Sequence, residues 1–339
     1  MATIAQRCNT CGRTLVKMPG SQYEICPVCH TVNLFNQKIK GRVLFRIGQF
    51  INAAANQYQH ELQRQPSNRG KKRAVLCGIT YNGHRKKLEA SVHNVRSMQQ
   101  LLVNKLGFPN ASILVLTEES DRSRIPTKRN IQAALQWLVR GCQPGDSLMF
   151  YYAGHASQIP DEDGDEIDGY DEALCPLDYR VAGAILDDEI NATIVAPLPH
   201  GVTLHCVVDT CFSGTLLDLP YLCTINRDGL YKWEEHQLTN KGTRGGKAVC
   251  ISACADDQIS ADTSAFTGKA IGALTFSFIQ TIENESKLTY GALLTSMRKK
   301  VNHAQQVVSR FMPCASSMLQ EPQLSSSKRF EIYSEPLII

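Results

Sequence analysis

From residue 74 onward, short unbroken apolar runs alternate with longer stretches of helical spacing, and no other feature constrains the fold as much. Ala74–Thr80 (AVLCGIT), Ser112–Thr117, Asp146–Tyr152 (DSLMFYY), Val202–Asp209 (VTLHCVVD) and Ala248–Ala253 (AVCISA) read as strands. Leu88–Leu106, Pro126–Arg140, Gly272–Glu283 and Gly291–Gln305 read as helices, the second opening on Pro126. Strands without polar alternation are buried on both faces, so the pattern predicts an α/β sandwich with a mostly parallel central sheet flanked by helices. In such sheets the chemistry gathers beyond the carboxyl ends of the strands. The stretch from Thr215 to Lys247 is rich in Gly, Asn, Lys and Arg without a clear period, and is expected to be an exposed loop.

The chain has 339 residues, enough for one large domain plus an appendage. Hydrophobic residues make up 43% and charged residues 20%, which excludes a disordered or collagen-like chain. No run of apolar residues is long enough for a membrane helix, so a soluble protein without a membrane partner is expected. The start, MATIAQRCNTCGR, has no apolar core of a secretory signal, and the 13 cysteines are an odd number. Both point to a reducing, cytoplasmic or nuclear setting.

Cys8 and Cys11, then Cys26 and Cys29, form two CxxC pairs with 14 residues between them. Four thiolates at this spacing close a tetrahedral structural Zn2+ site with no open position for catalysis, although His30 could stand in for one Cys. Zinc would let so short and polar a segment fold, giving a small N-terminal zinc-ribbon-like finger over residues 1–36. Residues 37–72 read as a basic linker. Residues 1–73 carry 12 Lys/Arg against 2 Asp/Glu, a balance of +10, and the rest of the chain carries 24 against 30, or −6. A basic tether supplies only non-specific attraction for nucleic acid, so nucleic acid is not the expected partner.

Two segments stand where an α/β site belongs. Tyr152-Ala153-Gly154-His155-Ala156-Ser157 follows one strand, and Asp209-Thr210-Cys211-Phe212-Ser213-Gly214 ends another. A thiolate is a good nucleophile, an imidazole can keep it ionised and then protonate a leaving amine, and the glycines allow a substrate backbone to approach. A Cys and a His among so many is weak by itself.

The motifs YAGHAS, DTCFSG, DEDGDEIDGYDEALCPLDY, LDDEINATIVAPL and PQLSSS, in this order, make the chain resemble the plant type I metacaspases. His155 precedes Cys211 by 56 residues, close to the caspase spacing of about fifty. The finger is similar to the LSD1-type finger found ahead of such domains. The resemblance implies a caspase-like (caspase-hemoglobinase) fold, with a large-subunit, p20-like region at 73–215, the loop 216–247 as a self-cleavage site, and a small-subunit, p10-like region at 248–339. It implies a calcium-dependent cysteine endopeptidase acting on proteins or peptides after Arg or Lys, working as a monomer and linked to programmed cell death. Cys211 would be the nucleophile, His155 the general acid/base, and the N–H groups of Gly154 and Cys211 the oxyanion hole. Asp209, Asn94 and Ala153 would line the substrate pocket. Family members commonly carry Ser-Gly-His-Gly where this chain has Ala153-Gly154-His155-Ala156, and His where Phe212 stands. The family's second pocket carboxylate is Asn94 here, which gives a guanidinium a neutral carbonyl instead of a charge-assisted partner.

Residues 161–189 hold 12 Asp/Glu and one basic residue, Arg180. Such crowding invites a hard cation with oxygen ligands. An EF-hand reading of Asp161, Asp163, Asp165 and Glu172 fails because Glu166 occupies the position that needs Gly. The resemblance points instead to Ca2+ on Asp171, Asp187 and Asp188. The loop bases Arg227, Lys232, Lys241, Arg244 and Lys247 are candidates for self-cleavage. The competing class is a non-enzymatic regulator or scaffold that binds a protein partner through its finger, which Asn94 and Phe212 keep open.

Overall fold

The computed structural model describes residues 5–7, 14–16, 23–25, 32–34, 72–84, 87–161, 164, 169–210, 215–226, 229–235, 241–252, 273–311 and 322–339. The chain divides into two compact units, residues 1–65 and 66–339. In the first, β1 (Ala5–Arg7) pairs antiparallel with β2 (Thr14–Val16), and β3 (Tyr23–Ile25) with β4 (Val32–Leu34). In sequence, each CxxC lies between the strands of one pair. Cys8, Cys11, Cys26 and Cys29 themselves fall outside the described residues.

The second unit is the expected α/β sandwich. Strand β5 (Lys72–Gly78) leads to α1 (Ser91–Asn104), β6 (Ile113–Thr117) to α2 (Lys128–Val139), and β7 (Ser147–Ala153) follows. Thr127 caps α2, its side chain accepting the Asn130 N–H. Three short strands come next, β8 (Ala156–Pro160), β9 (Tyr170–Leu174) and β10 (Ile185–Leu186), with the helical turn α3 (Tyr179–Ala182) before β10 and α4 (Asp187–Ile190) after it. The large sheet resumes with β11 (Thr203–Asp209), β12 (Tyr221–Ile225), β13 (Tyr231–Glu235) and β14 (Lys247–Ser252). Helices α5 (Ala273–Asn284) and α6 (Tyr290–Phe311) and strand β15 (Gln323–Ser326) complete it.

The eight strands lie in the order β13-β12-β15-β14-β11-β7-β5-β6. Those from β14 to β6 are parallel, and β15, β12 and β13 add antiparallel. Alternate residues of β7 divide the core. Leu148, Phe150 and Tyr152 pack on one face with α2, Ile190 and Ile194, whereas Met149, Tyr151 and Ala153 pack on the other with α1, α5 and α6. Covering both faces is what the unbroken apolar runs require.

Two elements depart from expectation. Thr215–Lys247 is no exposed loop over its whole length, because β12 and β13 form a hairpin that extends the sheet. Its turn closes through Asn226, whose backbone N–H donates to the Leu230 carbonyl, whose carbonyl accepts the Gly229 N–H, and whose side chain accepts the Leu230 N–H at 2.8 Å. Gly229 sits there at φ +83°, a conformation that a Cβ disfavours. The alternation of Tyr231, Trp233 and the charged residues between them is an edge-strand pattern, too short and charged to stand out. The acidic segment likewise supplies β9 and β10, which join β8 just before it in a separate antiparallel sheet whose few apolar residues give no strand signal of their own.

Candidate active site

Strands β7 and β11 are parallel neighbours, and their last residues, Ala153 and Asp209, face each other in register. His155 stands two residues beyond Ala153, and Cys211 two residues beyond Asp209. Adjacent strands lie roughly 5 Å apart. The register therefore sets side by side, at the carboxyl edge of the sheet, the strand ends from which the two expected segments continue. Cys211, with residues 212–214, lies outside the described residues.

The backbone at His155 is tied on both sides. Its carbonyl accepts the Cys175 N–H at 3.0 Å and the Tyr152 hydroxyl at 3.1 Å, and its N–H donates to the Tyr81 hydroxyl at 2.9 Å. A Cβ on Gly154 would lie 2.5 Å from the Tyr152 hydroxyl, so only glycine permits Tyr152 to reach that carbonyl. The β8–β9 ladder starts at Ala156 opposite Leu174 and fixes where the chain goes next.

The expected pocket residues Asn94, Asp209 and Ala153 come together, all under 10% exposed. Asp209 Oδ2 accepts both the backbone N–H and the hydroxyl of Thr275, in the first turn of α5, where the helix dipole favours a negative charge. The Thr275 hydroxyl lies 2.7 Å from that of Tyr151, and Tyr151 in turn hydrogen-bonds Asn94. One chain of polar groups thus runs Asn94, Tyr151, Thr275, Asp209. Burial, with the Asp209 charge second, pushes the Tyr151 hydroxyl well above its ordinary value, so it stays a neutral donor. Thr275 was not foreseen: a lone Thr at a helix start carries no signal, and α1, β7, β11 and α5 meet only in three dimensions.

Asp171 and Asp187 are buried, with Glu172 and Asp218 beside them. Asp187 accepts the N–H of Glu172 at 2.7 Å and of Asp188 at 2.9 Å. Even so its carboxyl is pushed up to about 9, first by burial, then by Asp218 and Glu172. Glu172 accepts the Thr215 hydroxyl, which ties the acidic group to the chain four residues after Cys211. The ammonium of Lys241 sits between Asp188 and Asp218, 3.2 Å from the latter. Among the described residues, no three His, Cys, Asp or Glu are placed to hold a metal ion as they stand. The donors are hard carboxylate oxygens of the kind a calcium ion takes, but an ammonium now neutralises part of the group. Asp218 and Lys241 join this group only through folding; sequence spacing alone did not connect them to it.

The family model "Metacaspase, peptidase C14 domain" matches residues 72–220. Metacaspase-1 of Arabidopsis thaliana is 49% identical over 294 residues, covering 81% of this chain and 80% of that protein. Metacaspase-3 of the same plant is 43% identical and covers 98% of each chain. A fungal relative, Metacaspase-1 of Mycosarcoma maydis, is 37% identical over 77% of this chain. Among solved structures, protein GSU0716 from Geobacter sulfurreducens shares the fold at TM-score 0.51 and 21% identity, covering 79% of this chain and 98% of that one. The chain is a caspase-like α/β cysteine endopeptidase. It belongs to the metacaspase family, and its substrates are proteins or peptides.

Proposed function

We propose that the protein hydrolyses peptide bonds after Arg or Lys by a Cys211–His155 dyad under calcium control. The observation that supports this reading is the pairing of Ala153 with Asp209, the neighbouring strand ends that His155 and Cys211 follow by two residues in sequence. The Cys211 sulfur attacks the scissile carbonyl carbon, and the N–H groups of Gly154 and Cys211 hold the oxyanion. His155 gives its proton to the departing amine, leaving a thioester. Water then attacks the thioester while His155 takes a proton from it, the acid is released, and the thiol is restored. Asp209, held by Thr275, offers a carboxylate for the substrate's basic side chain. Asn94 and Ala153 beside it are neutral.

Fluorogenic peptides with Arg, Lys or Asp before the scissile bond, with and without calcium, test this reading. Cleavage after Arg and Lys and not Asp, dependent on calcium, is the expected result. Asn94→Asp is expected to raise kcat/KM for Arg about tenfold, the worth of a charge-assisted hydrogen bond. Equal rates after Asp and Arg would overturn the assignment of Asp209.

Calcium would be held by Asp171, Asp187 and Asp188. It would supply the positive charge this group lacks, and Glu172 with Thr215 connects the group to the nucleophile segment. Lys241 stands in the way, so Lys241→Ala is expected to tighten calcium binding roughly five- to tenfold, the low end of a coupling free energy. Lys241→Arg is expected to behave as wild type. Calorimetric titration in a Cys211→Ala background reads both, and unchanged affinity in Lys241→Ala would rule the competition out. Lys241 is held in this ion pair and Lys232 and Lys247 lie in strands, so self-cleavage is assigned to exposed Arg244 or to Arg227, which lies outside the described residues.

The type I assignment adds the finger, with one structural zinc on Cys8, Cys11, Cys26 and Cys29 and a protein partner. Metal analysis returning one zinc per chain, lost on Cys8→Ser, tests it. Cys77, Cys142, Cys175, Cys206, Cys223 and Cys250 are unpaired thiols, in keeping with a reducing cytoplasmic or nuclear setting. A monomer acting in cell death completes the reading; sedimentation of the Cys211→Ala protein tests the first, and complementation of a knockout with Cys211→Ala the second.

A further inference from the structure

We infer that Tyr81 is a positioning residue for the imidazole of His155 and that Glu118 holds Tyr81 in that role. The inference rests on the reading of His155 as the proton-transfer group. Tyr81 follows β5 and has φ +56°, a left-handed conformation that a bulky side chain rarely adopts. Backbone strain of this kind persists only where the surroundings impose it, and it gathers at functional sites. What imposes it is visible. The Glu118 carboxylate, one residue past β6, accepts three successive backbone N–H groups, those of Thr80 at 2.6 Å, Tyr81 at 3.0 Å and Asn82 at 2.9 Å. These are charge-assisted bonds, stronger than neutral ones, and all three would be lost if the turn relaxed.

The strained turn sends the Tyr81 side chain inward, where it is 1% exposed. Its ring lies over the His155 imidazole, with centroids 4.6 Å apart and planes inclined by 33°. Its hydroxyl accepts the His155 backbone N–H at 2.9 Å and donates to the Cys175 carbonyl at 2.5 Å. Cys175 returns its own N–H to the His155 carbonyl. Tyr81 therefore grips His155 twice, once through the backbone and once across the face of the ring. With that face covered, the ring nitrogens are what remain for chemistry. A proton-transfer group misplaced by about 1 Å loses on the order of a hundredfold in rate, so a fixed imidazole matters. None of this is needed for a merely buried tyrosine, which could fill the same space without a left-handed backbone.

A double-mutant cycle tests the inference, with kcat and KM for an Arg peptide and the rate of Cys211 alkylation by iodoacetamide as readouts. Tyr81→Phe, which keeps the ring and loses the hydroxyl, is expected to lower kcat about tenfold and leave KM within about twofold. Tyr81→Leu, which also loses the ring, is expected to lower kcat about a hundredfold. Glu118→Gln should fall between them, and both Tyr81 variants should slow alkylation. In a His155→Ala background the same Tyr81 substitutions should change neither readout by more than about twofold, because the group they position is gone. Equal effects with and without His155 would show a structural role and overturn the inference, as would a folded Tyr81→Phe with wild-type kcat. If His155→Ala itself left both readouts unchanged, the reading of His155 would fail instead. Should Tyr81→Leu not fold, Tyr81→Phe and Glu118→Gln decide the matter by the same comparison.

Discussion

Cys211→Ala is expected to abolish peptide hydrolysis, by a factor on the order of 10^4 to 10^6 in kcat, with thermal stability close to wild type. Losing the nucleophile of a dyad removes the covalent route entirely, and what remains is binding and oxyanion stabilisation acting on water. His155→Ala is expected to cost on the order of 10^2 to 10^4, the usual worth of general acid–base catalysis, since a thiol keeps some nucleophilicity unaided. The two losses should not add, because both residues serve one proton and one sulfur. Peptide hydrolysis by purified Cys211→Ala, followed by mass spectrometry of the products, is the check. Activity within tenfold of wild type would require another of the 13 cysteines to be the nucleophile. The candidates among the described residues are poor ones: burial pushes Cys77 and Cys206 well above the ordinary value, Cys223 and Cys250 up to about 12, and raises Cys142 and Cys175 as well, so each is a weaker source of thiolate than a free cysteine.

The second large effect is electrostatic. Asp187 holds its proton far more tightly when folded than an unfolded aspartate does, because it is buried beside Asp218 and Glu172. The folded state thus binds more protons than the unfolded one across the interval between the two values. The stability this group contributes is complete below about pH 4 and is lost as pH rises toward its raised value, by up to about 1.4 kcal/mol per unit. Calcium-free protein should therefore melt at progressively lower temperature as the pH is raised from about 5.5 to about 8.5. Asp187→Asn, which cannot ionise, should flatten that slope. Calcium at the proposed site would reverse the preference by favouring the carboxylate, so its binding near pH 7 should release close to one proton. Titration calorimetry in buffers of different ionisation enthalpy counts that proton. No release, together with an unaltered slope in Asp187→Asn, would mean that the acidic group is neither uncompensated nor a calcium site.

Read from the residues alone, the strands β5, β6, β7, β11 and β14 and the four main helices were legible, because unbroken apolar runs and helical spacing come directly from burial on both faces of a sheet. The strand ends that precede His155 and Cys211 were legible for the same reason: β7 and β11 are buried strands. The hairpin β12–β13 and the sheet β8-β9-β10 were not, since short, charged edge strands take their stability from neighbours and not from their own composition. The linear sequence supplied the groups to which chemistry is assigned in the proposed function, a thiol, an imidazole, a carboxylate at a strand end and a crowd of acids. Only the tertiary structure decided their settings. It set Thr275 against Asp209, Lys241 between Asp188 and Asp218, and a strained Tyr81 over His155. Those contacts join residues 53 to 74 positions apart, save for the nearer pair of Lys241 and Asp218. Local spacing encodes a periodic element, whereas contacts of this range depend on which strands become neighbours, and the packing of the whole sheet decides that.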